Sequence, residues 1–353
     1  MPRKSIPLSP EARRVEACCR RYGMLRPGWR VGVAASGGAD STALLCLLLE
    51  LAPAWGLQLS LLHVQHHLRS EAEADAGFTR ALADRFGLEW RRFDLAPPAS
   101  SANLEQWARR ERYDCFRRYL AEGGAEVVAT GHHRDDQAET VLLRLLRGAG
   151  PRGLAGIWPV TLRRPPEPGA ALRPAIIRPL LELGRSELRA YLRARGQAWR
   201  EDGSNRSPRF LRNRIRLELL PWLEREFNPA IALALSRLAE LARAEELDWE
   251  ARVAPLAAGI WRPGPAGEWR AETPRLAALP LALRRRVVRS GLETARGARL
   301  PAAGNVVESI CRWIESAPAA SRPRRCHLAG LRIMVTPRRI ALQSLYPAEK
   351  PAL

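Results

Sequence analysis

Residues Trp29–Leu49 read WRVGVAASGGADSTALLCLLL, and the fold class follows from how this stretch is parsed. Val31, Val33 and Ala34 are small and apolar, as in a short buried strand. Ser36-Gly37-Gly38 interrupts them, and Ala43–Leu49 is an apolar run of good helix formers. A strand, a glycine turn and a helix start together form an anion site. Gly37 and Gly38 tolerate positive φ and close approach of a ligand. The helix start then offers unpaired N–H groups and the positive end of its dipole to a phosphate. A Walker A loop would be longer and would carry a lysine. Here Asp40 stands in that place, and a carboxylate cannot neutralise phosphate. It can hold Mg²⁺ together with phosphate oxygens, or cap the helix. Ser41 can cap the helix or bond a phosphate. A glycine turn before an ordinary capped helix explains S-G-G alone. The preceding strand, Asp40 and Ser41 favour phosphate binding.

Downstream, the same alternation repeats. Residues 9–25 suggest a helix and Leu57–Val64 a strand, followed by Glu71–Phe86 (helix), Leu88–Leu95 (strand), Ser101–Glu122 (helix), Glu126–Thr130 (strand) and Asp135–Arg147 (helix). This β–α pattern predicts a doubly wound, Rossmann-like parallel sheet with helices on both faces. Ligands of such sheets sit outside the carboxyl ends of the strands. The Ser36 loop, the histidines His63, His66 and His67, and the Gly131-His132-His133 turn should converge there. Three close histidines also suit a metal, but strand geometry turns neighbours apart, so a nucleotide-facing loop is the better reading. Residues 158–178, rich in Pro and Arg, read as a connection or exposed insertion, with another strand over Ile176–Leu181 and a helix over Arg185–Arg195. Beyond Leu217 the composition changes. Helices are expected over 230–256, Leu279–Leu292 and Asn305–Ser316, a loop over Gly259–Thr273 and a β-hairpin over Leu331–Leu342. The expected division is 1–216, catalytic, and 217–353, mainly helical and binding.

With 353 residues and a formal net charge of +20, the chain is long enough for two or three domains and strongly suited to a polyanion. Lys4 and Lys350 are its only lysines, so arginine carries the charge, and an internal catalytic lysine is excluded. The arginine-rich stretch Arg200–Arg216 interleaves Ser204, Asn205, Phe210 and Asn213 with Arg206, Arg209, Arg212 and Arg214, a mixture suited to RNA contact beyond a merely solvated face. Leu44–Leu49 is too short to span a bilayer, and MPRKSIPLSPEARR has no apolar segment behind its basic residues. No membrane association and a cytoplasmic location are expected. The six cysteines form no C-x-x-C and read as reduced, buried thiols, with Cys19 or Cys115 the candidates for a nucleophile.

A second constellation lies in Gly131–Gly156, GHHRDDQAETVLLRLLRGAGPRGLAG. Asp136 and Glu139 are three apart on a helix and share a face. An acidic first helical turn is common, but facing the cleft the pair could bind a cationic amine or Mg²⁺.

SGGADS resembles the S-G-G-x-D-S loop of the ATP pyrophosphatases, the PP-loop group. Together with NLEQWARRERY (103–113), GHHRDDQAET (131–140), the GAGPRGLAG turn and EDGSN…RNRIR (201–216), it resembles the tRNA(Ile)-lysidine synthase family over about residues 28–225. The helical remainder is similar more loosely to that family's tRNA-binding region, and the end at Leu353 leads to the expectation that a further C-terminal domain of longer members is absent. The resemblance implies ATP and Mg²⁺ as cofactors, and free L-lysine and an isoleucine tRNA with a CAU anticodon as substrates. ATP adenylates C2 of the wobble cytidine, and the lysine amine then displaces AMP, changing decoding from AUG to AUA. Carried over by residue, Ser36, Gly37, Gly38, Ala39, Asp40 and Ser41 hold the ATP phosphates, and Asp40 places Mg²⁺. Arg112, with Arg109, neutralises charge at the α-phosphate. Asp136 and Glu139 hold the lysine ammonium, supported by Asp135 and His132. Arg206, Arg209, Arg212 and Arg214 contact tRNA. Gly131 and Arg134 are expected to be positions of variation. The oligomeric state is left open, a homodimer being one option. The alternatives are an ATP-dependent tRNA thiolase, which needs paired cysteines or an iron–sulfur cluster, a non-catalytic RNA-binding protein, and an amidotransferase-linked synthetase, for which no glutaminase motif is present.

Overall fold

The computed structural model describes residues 7–67, 72–96, 104–163, 173–201, 211–297, 304–317, 322–328 and 330–345. Helix α1 (Pro10–Arg21) starts where the Ser9 hydroxyl accepts the Ala12 N–H at 3.1 Å, with proline in the first turn, where its missing N–H costs nothing. There follow β1 (Arg30–Ala34), α2 (Ala39–Trp55), β2 (Gln58–Gln65), α3 (Ala72–Phe86), β3 (Glu89–Asp94), α4 (Leu104–Ala121), β4 (Val127–Ala129), α5 (Arg134–Leu146) and the single turn α6 (Pro151–Leu154). Next come β5 (Val160–Arg163), β6 (Arg173–Ile177), α7 (Arg185–Ala194), α8 (Leu211–Arg214), a π-helical turn Ile215–Leu219, α9 (Leu220–Glu226) and α10 (Ile231–Ile260).

The first sheet has strand order β3-β2-β1-β4-β6-β5, parallel except for the antiparallel edge strand β5. Its central strands β1 and β4 are buried on both faces, as in a helix-covered parallel sheet. Leu61 and Val127 point to a core shared with α1, α2, α3 and α7, whereas their neighbours Leu62 and Val128 join Phe116, Tyr119 and Leu120 of α4 on the other side. Gly32 of β1 lies on that second side, where a Cβ would stand 2.7 Å from the Leu62 side chain. The chain runs outward from β1 to β2 and β3, then returns to place β4 on the other flank of β1. The switch point between β1 and β4 therefore brackets the two loops that the sequence singles out.

Two local expectations are corrected. Residues 158–178 are not simply a connection, because β5 and β6 from this stretch pair at the sheet edge. The strand expected over Ile176–Leu181 ends at Ile177, and Leu180 and Leu183 instead enter the core from the following turn. Strands at an edge with proline and arginine do not display the alternation by which they are recognised.

The remaining elements are β7 (Arg262–Pro263), β8 (Trp269–Glu272), α11 (Thr273–Ala277), α12 (Leu281–Arg296), α13 (Gly304–Glu315), β9 (Arg324–Leu328), β10 (Leu331–Val335) and β11 (Arg339–Ser344). This C-terminal region is largely helical. The expected hairpin exists as β10 and β11, but it belongs to a five-stranded antiparallel sheet of order β7-β8-β11-β10-β9. The expected loop Gly259–Thr273 thus contains two of its strands. Ile310, Ile314, Ile333, Ile340 and Leu342 form the core there, with Val287 and Leu292 of α12. By packing, the chain divides into Met1–Leu143 with Gly156–Ala239, and Arg144–Ala155 with Glu240–Leu353. These are units of packing, whereas the expected boundary at 216/217 divides by function. No helix among the described residues is long and apolar enough to cross a membrane.

Candidate active site

The loop after β1 turns at Gly37, whose φ of +84° lies in the left-handed region that glycine adopts without strain. The Gly37 carbonyl accepts the Arg200 N–H at 2.9 Å and the Thr42 hydroxyl at 3.4 Å. Ser41 closes the turn: its Oγ accepts the Ser36 N–H at 3.2 Å and donates to the Gly38 carbonyl at 3.1 Å. Gly38 occupies the N-cap of α2 and brings no side-chain acceptor to it. The first turn of α2 is therefore left without the usual oxygen cap, the arrangement that accepts a phosphate.

The second loop, Thr130–His133, lies against this one. An added Cβ on Gly131 would stand 3.1 Å from the carbonyl carbon and oxygen of Asp40 and 3.2 Å from the Ser41 nitrogen. Gly131 is thus a close-approach position, contrary to its expected variability. Arg134 is also fixed: its guanidinium pairs with Glu187 at 3.0 Å and packs over Gly184.

His133 joins the two loops. It is 0% exposed, and its Nε2 lies 3.3 Å from Asp40 Oδ2 and 3.4 Å from Asp136 Oδ2. Its Nδ1 lies 3.5 Å from Asp135 Oδ2. Burial alone would keep the imidazole neutral. Asp136, Asp135 and Asp40 outweigh burial and raise it to about 10. Asp135 responds in the opposite direction: burial raises it, but His133 and the Arg185 N–H, 2.9 Å away, bring it down to about 2. The other Asp40 oxygen, Oδ1, is buried with no hydrogen-bond partner among the described residues. A free carboxylate lone pair beside the glycine turn fits Mg²⁺.

Asp136 and Glu139 face the same way from α5, as their spacing predicts. Glu139 is 0% and Asp136 9% exposed. Guanidiniums engage both. Arg212 donates to Asp136 Oδ1 at 3.0 Å and Glu139 Oε2 at 2.9 Å. Arg216 reaches Glu139 at 2.6 and 3.0 Å and Asp136 at 3.3 Å, and Arg185 reaches Glu139 at 3.4 Å. Burial pushes the Asp136 carboxyl up, but His133, His132 and Arg212 hold it well below the ordinary range. The pair is a buried carboxylate site that accepts cationic donors. A π-helical turn at Ile215–Leu219 follows Arg212 and carries Arg216 onto the same oxygens, and such turns recur at functional sites.

The other expected residues fall as follows. His132 shares a 2.9 Å hydrogen bond with Thr130 Oγ1. Burial keeps it well below its usual range, with Asp136 opposing and Arg178, Arg109 and Arg212 adding to the effect, so it is neutral. Arg112 meets His66 Nε2 at 3.3 Å. His63 supports the loop from below, with Nδ1 3.0 Å from the Ala35 carbonyl. His67 pairs with Asp94 at 2.8 Å, so the three histidines do not converge on one point. Arg214 is exposed beside Glu218 at 3.6 Å, while Arg212 turns inward to the carboxylates. Arg206 and Arg209 lie outside the described residues. Cys19 and Cys115 are fully buried, and burial pushes Cys19 up to about 12, which leaves neither a ready nucleophile. Sequence reasoning missed His133, Arg185 and Arg216. The four-residue spacing of Arg212 and Arg216 was a usable signal for a shared helix face; nothing local marks Arg185.

The PP-loop domain family matches residues 10–223. Among curated relatives, tRNA(Ile)-lysidine synthase of Solibacter usitatus is 44% identical, over 87% of this chain and 66% of the relative. That of Symbiobacterium thermophilum is 45% identical over 86% and 63%, and that of Gloeobacter violaceus 41% identical over 78% and 80%. The chain thus spans just under two thirds of the length of the first two. Among solved structures, the U34-tRNA thiolase NcsA from Methanococcus maripaludis superposes with a TM-score of 0.54 at 18% identity, covering 66% of this chain and 78% of that one, a likeness of fold alone.

Proposed function

The chain belongs to the PP-loop family and to the tRNA(Ile)-lysidine synthase family within it, and on that footing we propose that it ligates free L-lysine to the wobble cytidine of an isoleucine tRNA with a CAU anticodon. One observation carries the reading: a single buried histidine, His133, lies 3.3 Å from Asp40 of the glycine-turn loop and 3.4 Å from Asp136 of the acidic pair. This supports reading a nucleotide site and an ammonium site as one.

In this reading Ser36–Ser41 hold the ATP phosphates on the uncapped start of α2. Asp40 Oδ1 would hold Mg²⁺, which supplies charge neutralisation at the phosphates. The cytidine O2 attacks the α-phosphorus, the α–β bridge breaks and pyrophosphate leaves. Arg112 faces the charge that develops there. The bound lysine ammonium first gives up one proton to solvent, the resulting amine attacks C2 and loses a second proton, and AMP leaves with the former O2. Asp136 and Glu139 bind lysine as its ammonium, which must take oxygen positions now used by Arg212 and Arg216. Neutral His132 is beside them to accept a hydrogen bond. Residues 1–216 carry this chemistry. Residues 217–353, with Arg206, Arg209 and Arg214 ahead of them, bind tRNA.

The test is labelled-lysine incorporation by the purified chain with ATP, Mg²⁺ and a CAU-bearing tRNA(Ile) transcript. The expected result is incorporation that requires ATP and vanishes when the wobble cytidine is replaced. AMP and pyrophosphate release without incorporation would retain the adenylating site and reject lysine as the second substrate.

A further inference from the structure

A cavity of about 640 Å³ opens beside α4, lined by Trp107, Tyr113 and four arginines, Arg109, Arg110, Arg117 and Arg178. Positions 109, 110, 113 and 117 recur at helical spacing, so one face of α4 forms most of the wall. Arg178 closes it from the end of β6. That residue is only 5% exposed. Its Nη1 donates to the Trp158 carbonyl at 2.6 Å and the Thr161 hydroxyl at 3.1 Å, and its Nη2 to the Tyr113 hydroxyl at 3.2 Å. Its Nε is buried and has no acceptor among the described residues.

The charge here is poorly balanced. Arg110 and Arg117 pair with Glu111 and Asp114 on the helix surface. Among the described residues, no carboxylate pairs with Arg109 or Arg178. A guanidinium buried without a counter-ion is costly unless an anion completes it. The field is felt locally: burial pushes the Tyr113 phenol up, yet Arg178, Arg109 and Arg112 bring it below its usual value. The aromatic walls are part of the same array. Arg109 lies over the Tyr113 ring at 5.2 Å, and Trp107 meets His66 edge-on at 6.4 Å.

Cation and aromatic together select a nucleotide over a bare anion, since phosphate suits guanidinium and a base suits a ring. The volume lies within the range of small-ligand sites. The ATP loop is not its neighbour in the sheet: that loop follows β1, whereas Arg178 follows β6, with β4 between them. We propose that this cavity takes an unstacked ribonucleotide of the RNA substrate, with its base against Trp107 and Tyr113 and a flanking phosphodiester on Arg178. The proposal rests on the reading that the substrate is RNA. It adds to that reading a binding site made by α4 and the end of β6, which the arginine-rich stretch 200–216 does not include.

The probe is a fluorescein-labelled anticodon stem–loop RNA carrying CAU, read by anisotropy with the full chain. Binding of a non-hydrolysable ATP analogue is measured in parallel. Trp107→Leu and Arg178→Gln should each weaken stem–loop binding about tenfold and leave the ATP analogue unaffected. Arg178→Gln also removes three internal hydrogen bonds. If it fails to fold, Arg117→Gln on the helix surface and Trp107→Leu carry the test. Equal stem–loop binding by the unaltered chain and the folded variants would overturn the pocket alone. Loss of ATP-analogue binding with RNA binding intact would reassign the cavity to the nucleotide cofactor and overturn it too. No stem–loop binding by the unaltered chain would overturn the functional reading and the pocket with it.

Discussion

Glu139→Gln replaces one charge in a buried ion cluster. The carboxylate is fully buried and accepts from Arg212 at 2.9 Å, from Arg216 at 2.6 and 3.0 Å, and from Arg185 at 3.4 Å. An amide keeps the shape, but it keeps only one acceptor oxygen and turns an NH₂ toward guanidiniums. Breaking a buried pair from one side costs about 3–5 kcal/mol, because the partner charges stay behind unpaired. Here the arginine side chains retain 17–26% exposure, so water offsets part of that loss. The expected cost is therefore at the lower end, about 3 kcal/mol. A domain of this size loses roughly 2–4 °C per kcal/mol, so the melting temperature should fall by about 6–12 °C. Thermal unfolding followed by circular dichroism reads this directly. A second variant isolates the cause: Glu139→Leu combined with Arg185→Met and Arg216→Met leaves Arg212 paired with Asp136 and should cost less than Glu139→Gln. A fall below 2 °C for Glu139→Gln, or a triple variant that is less stable still, would refute the claim that these arginines depend on Glu139.

Further outcomes can be checked separately. Gly131→Ala puts a methyl group 3.1 Å from the Asp40 carbonyl, so the loop must shift by a few tenths of an ångström; ATP affinity, measured calorimetrically, should fall about tenfold for an overpacking cost of about 1–2 kcal/mol. Asp135 is held at about 2 in the folded chain against an ordinary value near 3.8. Its contribution to stability is therefore complete above about pH 4 and is lost as pH falls through 2; Asp135→Asn should flatten that acid limb in urea titrations at successive pH values. Five of the six cysteines are buried, and Cys326 is half-buried. A disulfide reagent should label Cys326 first in the native chain and all six in denaturant. Affinity for the tRNA transcript should fall steeply between 50 and 200 mM salt, and a flat response would contradict an arginine-driven interface.

The local sequence was sufficient where each residue's role is set by its near neighbours. The glycine turn after Val33 and the shared face of Asp136 and Glu139 are consequences of backbone freedom and helical spacing, and both were legible in order along the chain; Asp40 and Ser41 were both open as caps of α2, and the structure puts Gly38 there. The parallel sheet was legible too, because alternating strand and helix patterns leave few ways to bury both. Short strands at or next to a sheet edge were less legible: β5, β7 and β8 lie among Pro, Gly and Arg, where no alternation shows. The cation side of the carboxylate site was illegible as well. Arg212 read as an RNA contact because nothing in Arg200–Arg216 says that its guanidinium reaches a helix more than seventy residues earlier. Gly131 read as variable because its constraint is the backbone of Asp40, distant in sequence and adjacent only when β1 and β4 pair. The sequence by itself therefore determined the glycine turn, the fold class and the direction of the acidic pair. Only the tertiary structure decided that His133 joins Asp40 to Asp136 and which arginines neutralise that pair, because Coulomb interactions and steric contacts depend on separation in space, which chain order does not encode.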